Sequence, residues 1–220
     1  MSDVQAGAAL LRLLTWLSPA FPVGAFAYSG GLERAVHDGW VKDAAGLEGW
    51  IVATLSHGAG WNDAVFFAEA WRECGNAERL QTAAELAEAL AGSRERHQET
   101  MALGSAFLEA SAEWPRPAFA AGAAYPVAVG SVAGLNGVAL DAGLAAYLHA
   151  AASQLVSAGL RLGVAGQKQG VAILSRLEVT LLGLAARAEV STLDDLGTAT
   201  IRAEIEVMRH EVQYSRLFRS

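Results

Sequence analysis

Apolar side chains recur at intervals of three and four residues along most of this chain, which is the spacing of one face of an α-helix. No stretch of any length alternates apolar and polar residues as a half-buried strand does. No shift of composition marks a domain boundary, and no fixed-period repeat is present. The sequence therefore predicts an all-α protein, a single-domain bundle of about ten helices over residues 1–220.

Residues that favour helix starts support this interpretation. Side chains of this kind precede five of the predicted helices: Asp43, Asn62 or Asp63, Asn76, Ser93 and Asp141. Thr192 and Asp195 have the spacing of a capping box. We expect these residues to be helix N-caps.

Two predicted helices carry regular apolar stripes. The first holds leucines up to a stop at Ser18 and Pro19, and the last, over about 198–213, holds a second stripe. The first stripe consists of Leu10, Leu11, Leu13, Leu14 and Leu17. The second consists of Ile201, Ile205, Met208 and Val212.

A different pattern, Arg94 and Arg96 beside Glu95 and Glu99, predicts charge pairs on an exposed helix face.

The segment Ser18–Glu33, SPAFPVGAFAYSGGLE, is too apolar for an ordinary solvated loop. It holds two of the five prolines, and no helix can run through them because proline lacks the N–H and fixes φ. Burial of each large apolar side chain stabilises by about 1.5–3 kcal/mol. We therefore expect Phe21, Val23, Phe26 and Tyr28 to pack on the chain's own core or on a partner.

Glycines at 159, 163, 166 and 170 are spaced as on one face of a helix. Each costs about 1 kcal/mol of helix propensity against alanine, so this face predicts a close backbone approach to another element. A break of the helix near Gly163 is compatible with the same interpretation.

Composition narrows the class of protein. Hydrophobic residues are 53% of the chain, but charges or prolines interrupt every long apolar run, including Ala118–Leu140, so we expect no membrane span. The N-terminus lacks the basic region of a secretory signal, and the single cysteine, Cys74, fits a reducing compartment. A cytoplasmic location is expected. The net charge of -7 argues against nucleic-acid binding.

The chain carries no motif for a P-loop, a C-x-x-C pair, an H-E-x-x-H metal site or a G-x-S-x-G nucleophile. Its five histidines are scattered over different predicted helices: His37, His57, His97, His149 and His210. Each is more readily explained as a surface or hydrogen-bonded residue than as a metal ligand, and Cys74 as a packing residue. No catalytic, cofactor or metal residue is predicted.

The C-terminal segment MRHEVQYSRLFRS places Tyr214, Leu217 and Phe218 among arginines up to the end of the printed sequence. Aromatic residues and arginine are enriched at protein interfaces. This tail, about 210–220, is either an interaction segment or a segment that docks on its own domain.

Three motifs together carry a family resemblance: SPAFPVGAFAYSGGLE, LVSAGLRLGVAGQ and RHEVQYSRLFRS, in this order. The chain resembles the urease accessory protein UreF family from Leu10 to Ser220. It departs from the family pattern in the middle motif, where Val164 and Lys168-Gln169 replace a proline and an acidic residue that family members often carry.

The resemblance implies a non-enzymatic adaptor for nickel delivery to urease. Its implied partners are a UreD/UreH-type scaffold, the GTPase UreG and apo-urease, with the chain itself a homodimer. No cofactor of its own is implied, since nickel is handled by the complex and GTP is bound by the partner. A nickel-binding metallochaperone that uses its own His and Cys residues is the alternative. A small all-α enzyme is a third hypothesis without a motif.

The resemblance also assigns residues. Tyr28, Glu33, Arg161 and Gln167 match positions linked to the GTPase. The residues that match the tail associated with the scaffold are His210, Gln213, Tyr214, Ser215, Arg216, Leu217 and Phe218. Arg161 is either a charge supplied to a nucleotide site in trans or a structural hydrogen-bond donor.

Overall fold

The computed structural model describes residues 3–220. Ten α-helices follow one another in this range: α1 Asp3–Trp16, α2 Leu32–His37, α3 Ala44–His57, α4 Ala59–Arg72, α5 Ala77–Ala89, α6 Arg94–Ala110, α7 Tyr125–Leu135, α8 Leu140–Arg161, α9 Gln167–Glu189 and α10 Ile201–His210. Short 3-10 helices lie at Ala25–Ala27 and Leu193–Asp195. None of the residues 3–220 forms a strand, and the prediction of an all-α bundle is confirmed.

Helix α4 lies at the centre of the bundle and contacts α3, α5, α7, α8 and α9. Its side chains Phe66 and Phe67 are buried in one hydrophobic core with Phe107 of α6 and Leu144 of α8. Helix α10 packs on α2 and α6, at the edge of the core. This places the end of the chain beside the Ser18–Glu33 segment.

Several helices cross closely enough to exclude a side chain at the crossing. A Cβ at Gly130 of α7 would lie 2.3 Å from the carbonyl oxygen of Phe67 in α4. A Cβ at Gly104 of α6 would likewise overlap the carbonyl oxygen of Ala123. These backbone contacts explain the need for glycine at both positions.

The glycine series at 159–170 belongs to a helix break. Gly163 has a φ of +76° and separates α8 from α9. A Cβ at Gly159 would overlap Leu47, and one at Gly170 would lie 3.0 Å from Val156 in α8. Gly159 and Gly170 do approach other residues closely, but these are the side chains of Leu47 and Val156 rather than a crossing backbone. The break near Gly163 is present, so the four glycines do not line one helix face.

Three predicted N-caps are confirmed. The side chains of Asp43, Asn76 and Ser93 each accept a hydrogen bond from the backbone N–H three residues later. The Thr192 and Asp195 capping box is also present, at the start of a 3-10 helix.

Two N-cap predictions are wrong. Helix α4 begins at Ala59, directly after Gly58, so Asn62 and Asp63 lie inside it. Helix α8 begins at Leu140, and Asp141 lies in its first turn. In both cases the helix begins before the residue that was expected to cap it. The local pattern of residue types does not reveal this earlier start.

The loop segment Ser18–Glu33 packs mainly on the chain's own core. Phe21 and Val23 are partly buried against the core, and Tyr28 is buried. Phe26 is an exception, because 72% of its surface is exposed. In α1, Leu13 is buried with Ala9 and Trp16, whereas Leu10, Leu11 and Leu14 are exposed.

Candidate interaction site

The end of the chain docks on its own domain through the backbone. The N–H groups of Leu217 and Phe218 donate to the carboxylate of Glu33 at 2.7 and 2.9 Å. The carbonyl of Ser220 accepts from the N–H of Ser29 at 2.9 Å. The structure therefore supports the second hypothesis for residues 217–220, in which the tail docks on its own domain.

Local backbone geometry positions Glu33 for this contact. Gly31, the N-cap of α2, has a φ of +79°. A Cβ at Gly31 would lie 2.7 Å from the side chain of Val207 in α10, so glycine allows α2 and α10 to meet. The side-chain oxygen of Ser29 accepts from the N–H of Glu33 at 3.2 Å. The first turn of α2 thus holds a buried carboxylate facing the tail.

His210, the last residue of α10, lies between two buried carboxylates. Its Nδ1 is 2.7 Å from Glu95 of α6, and its Nε2 is 3.0 Å from Glu33. The ring itself is fully buried. A neutral imidazole has one N–H and an ionised carboxylate only accepts, so two such bonds require one further proton within this trio.

Two further contacts tie the tail to α6. Arg216 donates to Glu95 at 2.6 Å, and the hydroxyl of Ser220 donates to Glu99 at 2.8 Å. We call the three carboxylates Glu33, Glu95 and Glu99, together with residues 210–220, the tail clasp. Most of the bonds within it are charge-assisted and shielded from water, where such bonds are strong.

The prediction that Glu95 and Glu99 lie on an exposed face is wrong. Both residues are buried, and Arg96 between them is only partly exposed. The error has a physical cause: their partners His210, Arg216 and Ser220 lie more than 110 residues away in sequence. The local sequence shows that acids and arginines alternate here. It does not show which distant residues cover them in the fold.

The clasp brings together most of the residues that the resemblance assigned to two different partners. The guanidinium carbon of Arg161 lies 4.2 Å from the ring centre of Phe218, and its N–H donates to the carbonyl of Phe26. Tyr28 is buried beside these groups and its carbonyl accepts from Gln154 at 3.3 Å. Gln167 is exposed at the start of α9, and its side chain makes no hydrogen bond to the clasp.

Residues of the tail differ in exposure. His210 and Phe218 are buried, whereas Tyr214 is fully exposed. Gln213 donates to the carbonyl of Ser215 at 2.9 Å and helps to shape the turn before the docked end. The segment therefore presents Tyr214 and Leu217 to solvent while its last residues remain anchored.

A cavity of about 650 Å³ extends from the clasp into the bundle. Its lining is mainly apolar, and its charged groups include Asp63, Arg96 and Glu99. Arg96 donates to both oxygens of Asp63 at 2.6 and 2.7 Å and lies 3.5 Å from Glu99. Burial, reinforced by the charge of Asp63, holds the pKa of Tyr147 well above its usual range.

Glu99 is the one clasp carboxylate that we expect to tolerate neutralisation. Burial raises its pKa, against the opposing effect of Arg96, so folding favours the uncharged form. The cost of the charged form is fully present above the raised folded pKa and is relieved as pH falls from that pKa towards the unfolded pKa. Glu99→Gln should shift the melting temperature by no more than about 2–4 °C at pH 7. The difference from wild type, measured by calorimetry, should shrink as the pH is lowered.

Helix α10 differs from an ordinary surface helix, because ionisable side chains lie on its inward face and large apolar side chains on its outward face. Its inward face carries Glu206 and His210, both fully buried. Its outward face carries the predicted stripe, with Ile201 and Met208 exposed and Ile205 partly buried. Val212, also exposed, continues the stripe just after the helix ends at His210. Covering three such side chains would stabilise a complex by several kcal/mol, at about 1.5–3 kcal/mol for each one fully buried.

The described part of the chain holds neither a metal site nor a membrane span. Among residues 3–220, no group of three or more His, Cys, Asp or Glu side chains is arranged to hold a metal ion. No helix in the same range has the length and apolarity to cross a membrane. Cys74 packs near Gly134, where burial raises the pKa of its thiol.

The fold and the tail clasp define the class of protein: an all-α protein whose C-terminal segment packs on the protein's own surface. Comparison with known proteins then identifies the family. The profile of the UreF family matches residues 41–178. The chain is 59% identical to the urease accessory protein UreF of Rhizobium etli and 58% identical to that of Agrobacterium fabrum, over the full length of both chains in each case. It is 56% identical to the urease accessory protein UreF of Rhizobium meliloti, over the whole of this chain and 98% of the relative. The chain belongs to the UreF family.

Proposed function

We propose that this protein is a non-enzymatic adaptor for urease maturation, which links a UreD/UreH-type scaffold to the GTPase UreG during nickel insertion into apo-urease. The family membership supports the urease-related role. The observation that supports the adaptor role is the arrangement of α10 and the tail clasp, which form one unit. This unit exposes Met208, Val212 and Leu217 to solvent while it buries Glu206 and His210.

The clasp gives this adaptor a physical route for communication between its two partners. Phe218 of the tail contacts Arg161, and Glu33 binds the tail backbone. A partner that holds the tail therefore also changes the surroundings of Arg161. A ligand shifts an equilibrium only by binding one state better than the other, so a scaffold that favours the docked tail would favour one arrangement of the GTPase side.

Arg161 serves in this proposal as a structural donor that shapes the GTPase-facing surface. Its guanidinium already donates to the carbonyl of Phe26 and stacks on Phe218. These contacts use groups that a charge supplied to a nucleotide site in trans would have to release. The protein works in this scheme as a homodimer without a cofactor of its own, and the complex carries the nickel.

The test is urease activation in a mixture of apo-urease, scaffold, GTPase, nickel and GTP, with and without this protein. The proposal requires activation to depend on the added chain. Equal activation in its absence would refute it. Within residues 3–220, no group of three or more His, Cys, Asp or Glu side chains supports the alternative of intrinsic nickel binding.

Arg161→Ala should fold normally and yet reduce urease activation in this mixture. The side chain is exposed, so its loss should change the melting temperature by no more than about 2–4 °C. Activation should fall because Phe218 and Phe26 lose their shared partner. Arg176→Ala, which removes an exposed arginine paired with Glu48 of α3, is the matched control. Unchanged activation by Arg161→Ala would exclude a role for this side chain.

A further inference from the structure

His210 lies in the tail clasp with both ring nitrogens against carboxylates. Its Nδ1 is 2.7 Å from Glu95, and its Nε2 is 3.0 Å from Glu33. The side chains of His210, Glu95 and Glu33 are 0%, 4% and 9% exposed, so both contacts are shielded from water. A neutral ring donates only one hydrogen bond, and its bare nitrogen would then face the second carboxylate.

The other partners of the two carboxylates stabilise negative charge on them. Glu33 also accepts from the backbone N–H groups of Leu217 and Phe218. Glu95 accepts from the guanidinium of Arg216 at 2.6 Å. Hydrogen bonds to a carboxylate and a nearby positive charge both favour its ionised form. The additional proton of the trio therefore belongs on the imidazole, as a cation between two acids.

The charges around the ring balance only when it is protonated. The carboxylates of Glu33 and Glu95 then meet two cations, the imidazolium and Arg216. A neutral ring would leave one buried negative charge without a partner, which is costly. The other ionisable groups near the ring have partners of their own: Glu206 lies 3.7–4.0 Å from Arg34, Arg202 and Arg209, Glu99 contacts Arg96, and Glu211 contacts Arg94.

We infer that docking of the tail takes up one proton on His210, so that the tail clasp opens as the pH rises. Each carboxylate that contacts the ring also holds the tail, Glu33 through the backbone and Glu95 through Arg216. When the ring loses its second proton, repulsion between the bare nitrogen and a carboxylate oxygen displaces one of the two acids. Either displacement moves an anchor of the tail.

The proton balance gives the direction and the size of this effect. In the released state water reaches the site, and an imidazole in water is mostly neutral above a pH of about 6.5. The docked state holds one proton more than the released state wherever the docked ring is still protonated. The equilibrium constant for docking should therefore fall by about tenfold for each pH unit in that range.

The first arm of the test locates the proton. Nitrogen-15 NMR of the wild-type ring distinguishes an imidazolium, whose two nitrogens both carry hydrogen, from a neutral ring. At pH values near 7, both nitrogens of His210 should carry hydrogen. One bare nitrogen at this pH would overturn the inference.

The second arm measures amide exchange of Leu217 and Phe218 between about pH 6.5 and 9, corrected for the intrinsic pH dependence of exchange. Protection of both amides should fall by up to about tenfold for each pH unit. His210→Gln, whose side chain does not titrate, should remove this slope. His97→Gln is the matched control, since His97 lines a surface groove with Glu95 and Arg219 of the tail and is bonded to Glu88 instead.

The slope should persist in His97→Gln, and its loss there would assign the proton to the wrong histidine. Protection that does not change with pH in the wild type, or a slope that survives in His210→Gln, would also overturn the inference. If His210→Gln no longer docks the tail, the wild-type spectra decide. Loss of one ring proton and loss of tail protection must then follow the same pH curve, and separate curves would show that the two events are not linked.

Discussion

Glu33→Ala is expected to release residues 211–220 from the body of the protein. The substitution removes the acceptor of the Leu217 and Phe218 N–H groups and one of the two carboxylates that are hydrogen-bonded to His210. Loss of one partner from a buried, charge-assisted contact costs about 3–5 kcal/mol. Amide hydrogen exchange of the tail should accelerate more than tenfold, and proteases should cleave within residues 211–220.

Glu109→Ala is the control for this experiment, because Glu109 lies on the same helix as Glu95 and is exposed. It should leave tail exchange unchanged. Glu99→Gln should fall between the two, since Ser220 loses no acceptor. Tail protection equal to wild type in Glu33→Ala would contradict the clasp as the element that holds the tail.

Gly130→Ala is expected to produce a large loss of global stability. The new methyl group would lie 2.3 Å from the carbonyl oxygen of Phe67, so α4 and α7 would have to separate at the centre of the bundle. Overpacking of this kind costs about 1–3 kcal/mol or more. For a domain of this size the melting temperature should fall by about 5–10 °C.

Gly183→Ala is the matched control within a helix. Nothing lies within 4 Å of a Cβ at Gly183 in α9. Alanine is favoured over glycine in a helix by about 1 kcal/mol, so this variant should melt at the same temperature or slightly higher. A melting temperature for Gly130→Ala as high as that of Gly183→Ala would show that the α4–α7 crossing is not as close as described.

Features determined by neighbouring residues were predictable from the sequence. The caps Asp43, Asn76 and Ser93 each depend on a backbone N–H three residues away, and the structure has all three bonds. The all-α class depends on the apolar period of each segment, which is also local. Asp63 fails as a cap because α4 already begins at Ala59, and its side chain instead binds Arg96 of another helix.

The composition of the clasp was not predictable in this way. The resemblance pointed to Glu33 and His210 separately, for different partners, and no local pattern indicated that they touch. Glu95 was missed because its burial depends on a tail that returns from the far end of the sequence. The stripe of α10 was visible in the sequence, but only its exposure in the fold distinguishes a docking face from a core face.

The most direct test of the adaptor role is size-exclusion chromatography with light scattering. The protein, intact or lacking residues 214–220, would be mixed with its UreD/UreH-type scaffold and UreG-type GTPase. The account predicts that the intact chain forms a complex with both partners, and that the truncated chain, without the docked end beside Arg161, fails to retain the GTPase. A complex of the same composition and mass from both forms, or no complex from either, would contradict it.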